Sequence, residues 1–191
     1  MTKLSPPFTE ARIRALNCGD EVTITGTLFT GRDAVHKYLH EGGKLPDEVK
    51  LREGILYHCG PVVIKDEQGH WKCVAAGPTT SIREEPYEAQ IIRDYALRAV
   101  IGKGGMGDRT LTACKDYGCV YLHAVGGAAQ VLAERIKRVR NVYMMDKFGA
   151  PEAIWEFEVE EFPAVVTIDA HGKSLHSDVF AASEAELAKY L

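Results

Sequence analysis

Apolar residues alternate with small polar ones in EVTITGTLFT (21–30), where Val22, Ile24 and Leu28 are separated by Thr and Gly. That spacing predicts a strand, because successive side chains of an extended chain point to opposite faces. TGRD follows. In AVHKYLHEGG the period lengthens to that of a helix, with Asp33 as candidate cap and Gly42 and Gly43 closing it. Ahead of these, residues 1–17 read as a polar, proline-containing lead-in with one helical turn over 10–16. GILYHCG and PVVIK are short strands, with Pro61 marking a bend or an edge between them. DEQGHW is a hairpin turn, and WKCVAAG is its returning strand.

Beyond residue 83 the period changes. PYEAQIIRDYAL predicts a helix, from Ile91, Ile92, Tyr95 and Ala96 at helical spacing. RAVIG is a short buried strand ending in the loop GKGGMG. DRTLTACKDYG is a helix with Asp108 as candidate cap and Gly118 as stop, and CVYLHAV is a strand. GGAAQVLAERIKRV predicts a helix, with NVYMMDKF and IWEFEVEEF as strand material after it. FPAVVTIDAHGKSLH is a strand, a His-Gly turn and a returning segment. SEAELAKYL is a terminal helix capped by Ser183. The order is β first, then alternating helix and strand, then β again, which implies one layered α/β or α+β domain. The alternating middle third puts loops at the carboxyl ends of strands, where ligands usually bind.

Composition narrows the function classes. The 191 residues are 46% hydrophobic and 26% charged, with a net charge of −4. A chain this acidic offers no basic surface for nucleic acid. No apolar run approaches the ~20 residues that span a bilayer. MTKLSPPFTEARIRAL lacks the apolar core of a signal peptide, so a cytoplasmic protein is expected. The five cysteines (Cys18, Cys59, Cys73, Cys114 and Cys119) form no CxxC pair. Their odd number argues against a disulfide framework and a zinc site, and for reduced, mostly buried thiols. They make no convincing ligand set for an iron–sulfur cluster.

Three turns rich in Gly or Pro carry the candidate chemistry. TGRD (30–33) bears Arg32, GPTTSIR (77–83) bears Thr79, Thr80, Ser81 and Arg83, and GKGGMG (102–107) bears Lys103. Small residues let the backbone approach a ligand, and Arg binds carboxylates through paired hydrogen bonds. Three cations on three loops suit a small molecule with more than one carboxylate, and are expected to converge around it. Each turn also has a plain reading. GKGGMG is neither a P-loop nor GxGxxG and serves equally as a tight turn. GPTTSIR could be a loop whose hydroxyls cap the next helix, and TGRD a helix start. His36 and His40, four apart, read as a solvated or packed helix face, for want of a third metal ligand. No Ser-His-Asp or Cys-His set assembles from the sequence.

Taken together, TGTLFTGRDAVHKYL, YHCGPVV, AAGPTTSIR, GKGGMG, HAVGGAA and EFPAVVTIDAHG resemble the C-terminal (β) part of the iron–sulfur-dependent class I fumarate hydratases and the related L-tartrate dehydratases. The resemblance runs from about Gly19 to Ser177. It implies a single "swivelling" β/β/α domain over residues 18–180, after the lead-in 1–17 and before a C-terminal helix at 181–191. It implies a beta subunit of a hydro-lyase that interconverts fumarate and (S)-malate, with TGRD, Ala34, Val35 and HAVGGAA closer to fumarase than to tartrate dehydratase. Arg32, Arg83 and Lys103 would clamp the dicarboxylate, and Thr79 would take part in proton transfer with an Asp of an alpha subunit. That alpha subunit would carry the 4Fe-4S cluster, leaving this chain with no cofactor of its own. The assembly would be a heterotetramer with alpha, or a homodimer alone. A non-catalytic dicarboxylate-binding or regulatory domain is the reading from a different class. The chain departs from the family pattern at Glu84, where a Met often follows the Arg of GPTTxxRM, so the wall behind Arg83 is expected to differ.

Overall fold

The computed structural model describes residues 1–190. In chain order its elements begin with β1 (Thr2–Leu4), α1 (Glu10–Arg14), β2 (Glu21–Thr30), α2 (Asp33–His40), β3 (Ile55–Tyr57) and the hairpin β4 (Val62–Lys65) and β5 (Trp71–Ala75). A 3₁₀ turn (Ser81–Glu84) leads into α3 (Glu85–Tyr95), β6 (Ala99–Gly102), α4 (Asp108–Tyr117) and β7 (Val120–His123). The chain ends with α5 (Ala129–Glu134), β8 (Ile136–Tyr143), α6 (Met145–Phe148), β9 (Ile154–Ile168) and α7 (Leu175–Leu187).

The sheet closes on itself. β2, β3, β6 and β7 pair in parallel, and β9 runs antiparallel to both β7 and β2. Val165 of β9 faces His123 of β7 on one side and Glu21 of β2 on the other. The result is a five-stranded barrel within one mixed α/β domain, with β1 added beside β2 and β8 beside the first half of β9.

The period-2 pattern sorts the residues of the short barrel strands into two cores. Ile55, Tyr57, Ala99, Ile101, Val120 and Leu122 fill the barrel interior with Val22, Ile24, Leu28 and Phe162. The residues between them, Leu56, Val100 and Tyr121, point outward against Val35 and Leu39 of α2, Ile91 and Ile92 of α3, and Ala113 and Cys114 of α4. The helices therefore cover one side of the barrel. Burial on both faces explains why β6 reads as a continuous apolar run.

Several expectations change. The lead-in contributes β1, in register with Val22 to Ile24. The helix expected over GGAAQVLAERIKRV stops at Glu134, and IKRVRNVY is strand β8, because β9 offers it an edge to pair with. MDKF is a helical turn rather than strand. Asp33 and Asp108 stand inside the first turns of α2 and α4 and cap neither. The capping carboxylates come from afar: Glu152 accepts from the Ala34 amide, and Glu85 accepts from those of Gly107, Arg109 and Thr110. The last helix starts at Leu175 with Ser174, not Ser183, as its cap. None of the described helices is long and apolar enough to cross a membrane.

Candidate functional site

Parallel strands bring their carboxyl ends to one end of the barrel. Arg32 therefore follows β2, His58 to Gly60 follow β3, Lys103 follows β6 and Ala124 to Gly126 follow β7 at that same end. The segment leaving β5 crosses these ends. Pro78 bridges to Cys59, Thr80 bridges to Lys103, and the Thr79 amide donates to the His58 carbonyl at 2.7 Å. Thr79 is thus held between the ends of β3 and β6, with its side chain partly exposed.

The three cations differ in their surroundings. The Arg32 guanidinium lies against Gly60, where a Cβ would come within 2.7 Å of the Pro151 carbonyl oxygen and collide with the guanidinium. Its Nη1 is 3.2 Å from Glu152, and its buried Nε has no partner. Arg83 is half exposed and paired with Asp33. Asp33 also feels the charge of Arg32, so one carboxylate stands between the two arginines. Lys103 forms no ion pair with the described residues. Its stem passes 3.8 Å from where a Gly126 Cβ would sit, toward the loop after β7.

Behind this surface lies a fully buried polar chain. His36 Nδ1 is 2.8 Å from the Arg32 carbonyl, and its Nε2 is 2.9 Å from Glu88 Oε2. His58 Nε2 is 2.9 Å from the same Glu88 oxygen, and its Nδ1 is 2.9 Å from Ser81 Oγ. Gly102 makes room for this contact, since a Cβ there would strike Ser81 Oγ and come within 2.7 Å of the Tyr121 hydroxyl. Burial works against charge on His36, but Glu88 and then Glu84 outweigh it and hold the pKa up at about 9. For His58 burial prevails and the pKa falls. Burial also works against the Glu88 carboxylate, yet the two imidazoles bring it down to about 2.

Glu84, the departure from the family pattern, is also fully buried, 3.7 Å from His36. Neither of its oxygens accepts a hydrogen bond. Burial pushes its pKa up to about 8 against the pull of His36, with the neighbouring Asp33 adding to the rise. The wall behind Arg83 is thus formed by the buried Glu84 and the half-exposed Asp33. His36 was expected on a solvated or packed face; it is packed, and its partners are polar. Its place beside Val35 and Leu39 on the apolar face of α2 was the one sequence signal for burial.

The model of the family described as Fumarase C-terminus matches residues 2–179 of this chain. The chain belongs to the Fumarase C-terminus family. It is 52% identical over 187 residues to a Geobacillus stearothermophilus protein provisionally named fumarate hydratase class I, covering 98% of this chain but 36% of that protein. It is 43% identical over 177 residues to a Methanocaldococcus jannaschii protein provisionally named L(+)-tartrate dehydratase subunit beta, covering 90% of this chain and 89% of that protein. To the L(+)-tartrate dehydratase subunit beta of Escherichia coli it is 35% identical over 173 residues, with 90% and 85% covered. The chain therefore spans about a third of the first relative and most of the other two.

For a Fumarase C-terminus chain the cysteines bear on where a cluster could sit. All five are free, and all but Cys18 are buried. Burial pushes the Cys18, Cys59 and Cys73 thiols up, and a side-chain hydrogen bond with the Cys119 thiol together with burial does the same to Cys114. Cluster ligands must be thiolates, so the raised thiols of Cys18, Cys59, Cys73 and Cys114 make a poor ligand set for an iron–sulfur cluster. Among the described residues the one trio spaced for a metal ion is His36, His58 and Glu88.

Proposed function

We propose that this chain is the beta subunit of a two-subunit fumarate hydratase, and that it grips the dicarboxylate and carries the proton at the reacting carbon. The observation that supports this most is the crossing segment 78–81, which holds Thr79 between the ends of β3 and β6 with Arg32, Arg83 and Lys103 on adjoining loops. Fumarate and malate carry two carboxylates, and several cations are needed to neutralise and orient them. Arg32 and Arg83 suit the planar, bidentate contacts, and Lys103 acts as a point charge. An arriving carboxylate replaces Asp33 on Arg83 and shares Arg32 with Glu152.

Thr79 hydroxyl is a poor base alone, so it works with an aspartate from the alpha subunit. Ile82 and Val125, 51% and 59% exposed on these same loops, are apolar surface for that partner to cover. The iron–sulfur cluster of the complex belongs to the alpha subunit, as the raised thiols of Cys18, Cys59, Cys73 and Cys114 support. The domain is of the swivelling β/β/α kind, the assembly is a heterotetramer, and the compartment is the cytoplasm, where five free thiols stay reduced.

The beta subunit of an L-tartrate dehydratase is the second reading, favoured by two such relatives that match this chain over most of their length. Anaerobic co-expression with the alpha subunit, followed by assays on fumarate, malate and tartrate, separates the two. Turnover of fumarate and malate by the pair, and none by this chain alone, is expected. Turnover of tartrate alone makes the second reading correct. Hydratase activity in the isolated chain refutes the two-part site.

A further inference from the structure

We propose that Glu88 and His58 are positioning residues, and that one buried carboxylate oxygen bolts the loop of Arg32 to the loop of Thr79 before substrate arrives. This rests on the reading of Arg32 and Thr79 as substrate-facing residues. The chain of contacts is continuous. It starts at the Arg32 carbonyl, passes through His36, Glu88 and His58, and ends on Ser81, each link 2.8–2.9 Å long. His36, His58, Ser81 and Glu88 are all 0% exposed. His58 reaches Thr79 a second way, through its carbonyl and the Thr79 amide at 2.7 Å.

The protons can be counted. A backbone carbonyl only accepts, so His36 Nδ1 carries hydrogen. An ionised carboxylate also only accepts, so His36 Nε2 and His58 Nε2 both donate to Glu88. His36 is then an imidazolium. A hydroxyl both accepts and donates, so Ser81 Oγ takes the Lys103 amide at 3.3 Å and can still give its own hydrogen to His58 Nδ1. Charge balance then leaves His58 neutral, with its proton on Nε2. One cation and one anion make a balanced buried pair, whereas two imidazolium rings with centroids 5.0 Å apart would repel. The groups facing this pair are Asp33 of α2, Glu84 of the 3₁₀ turn, Cys114 of α4 and Tyr121 of β7.

Without the Glu88 charge, His36 loses its second proton and can no longer donate at both ends. The link between the two loops then breaks at Arg32 or at Glu88. A displacement of about 1 Å in a substrate-holding group can cost on the order of 10²-fold in rate.

The first test is nitrogen NMR of the histidine rings in the full chain near neutral pH. Both nitrogens of His36 should be protonated, and His58 should show a protonated Nε2 and a bare Nδ1. A neutral His36, the opposite His58 tautomer, or a stoichiometric divalent ion on the trio by elemental analysis overturns the proposal. The second test is Glu88→Gln in the assembled complex. We expect kcat/KM to fall by ~10²-fold, faster exchange of the Thr79 amide, and a high-pH limb that starts at lower pH than in the wild type. A purely structural role would lower the melting temperature and leave that limb in place, and this result too would overturn the proposal. The ring spectra need no hydratase activity. A complex inert toward fumarate, malate and tartrate therefore sinks the functional reading while the spectra still decide the network.

Discussion

The clamp and the chain behind it are built from similar groups in opposite settings. Arg83 and Asp33 are about half exposed, and each has water as an alternative partner. His36, His58 and Glu88 have none. An exposed pair can exchange partners at little cost, which suits the carboxylate-binding role proposed for Arg83. A buried pair cannot, because separating it leaves a charge in a poor solvent. One cluster is built to let go and the other to hold still, and they meet at Arg32 and at the Thr79–Ser81 segment.

The contrast can be broken most sharply at Thr79. In the assembled enzyme, Thr79→Val should lower kcat by ~10²–10⁴-fold with little change in KM, since general acid–base groups act mainly in the transition state. Thr79→Ser should retain substantial activity. An active Val variant with an impaired Ser variant would leave Thr79 as a shaping residue only. Glu88→Gln comes next and acts on stability. Removing one member of a buried pair costs roughly 3–5 kcal/mol, which a urea melt of the chain alone can read. A loss under ~1 kcal/mol, the scale of a surface ion pair, would place Glu88 in the same class as Asp33. Arg83→Met should do the reverse. It should change stability by no more than ~1 kcal/mol, while weakening both KM and kcat by an amount near ~1.5–3 kcal/mol, the worth of a charged hydrogen bond.

The smallest effect is in the pH dependence of melting. The His36 pKa is raised by folding, so its stabilisation is full below its ordinary value and is lost as pH rises through about 9. Glu84 adds to the decline, because its raised pKa makes folding less favourable as pH climbs toward about 8. The melting temperature should therefore fall between roughly pH 6.5 and 9, and Glu88→Gln should flatten the part due to His36. A rising curve over that interval would contradict both assignments.

Local pattern carried the strands well. Val22, Ile24 and Leu28 alternate into the barrel interior, and the GPTTSIR, TGRD and GKGGMG turns stand at one end of it. What failed to show was whatever depends on distant partners. The caps of α2 and α4 belong to Glu152 and Glu85, so Asp33 and Asp108 looked like caps only because the true ones were out of view. The segment IKRVRNVY is β-rich locally, but only β9 makes it a strand. Glu88 falls on an ordinary helical face in sequence. It becomes the hinge of the buried chain because α3 packs where two histidines arrive from α2 and the end of β3, so the three turns could be picked out in the sequence and the buried chain behind them could not.

The closure of the barrel bears on how this chain is made. β2 stands near the amino end, yet its partner along nearly the whole length is β9, near the other end. Contacts that far apart in sequence form slowly, since a long loop must be ordered before they repay its entropy. During synthesis β2 and β7 must wait with unpaired edges until residues 154–168 leave the ribosome. Open edges of this kind pair readily with other chains. A fragment ending before β9 should therefore aggregate rather than fold, and the yield of intact protein should depend on how quickly the final strand is delivered.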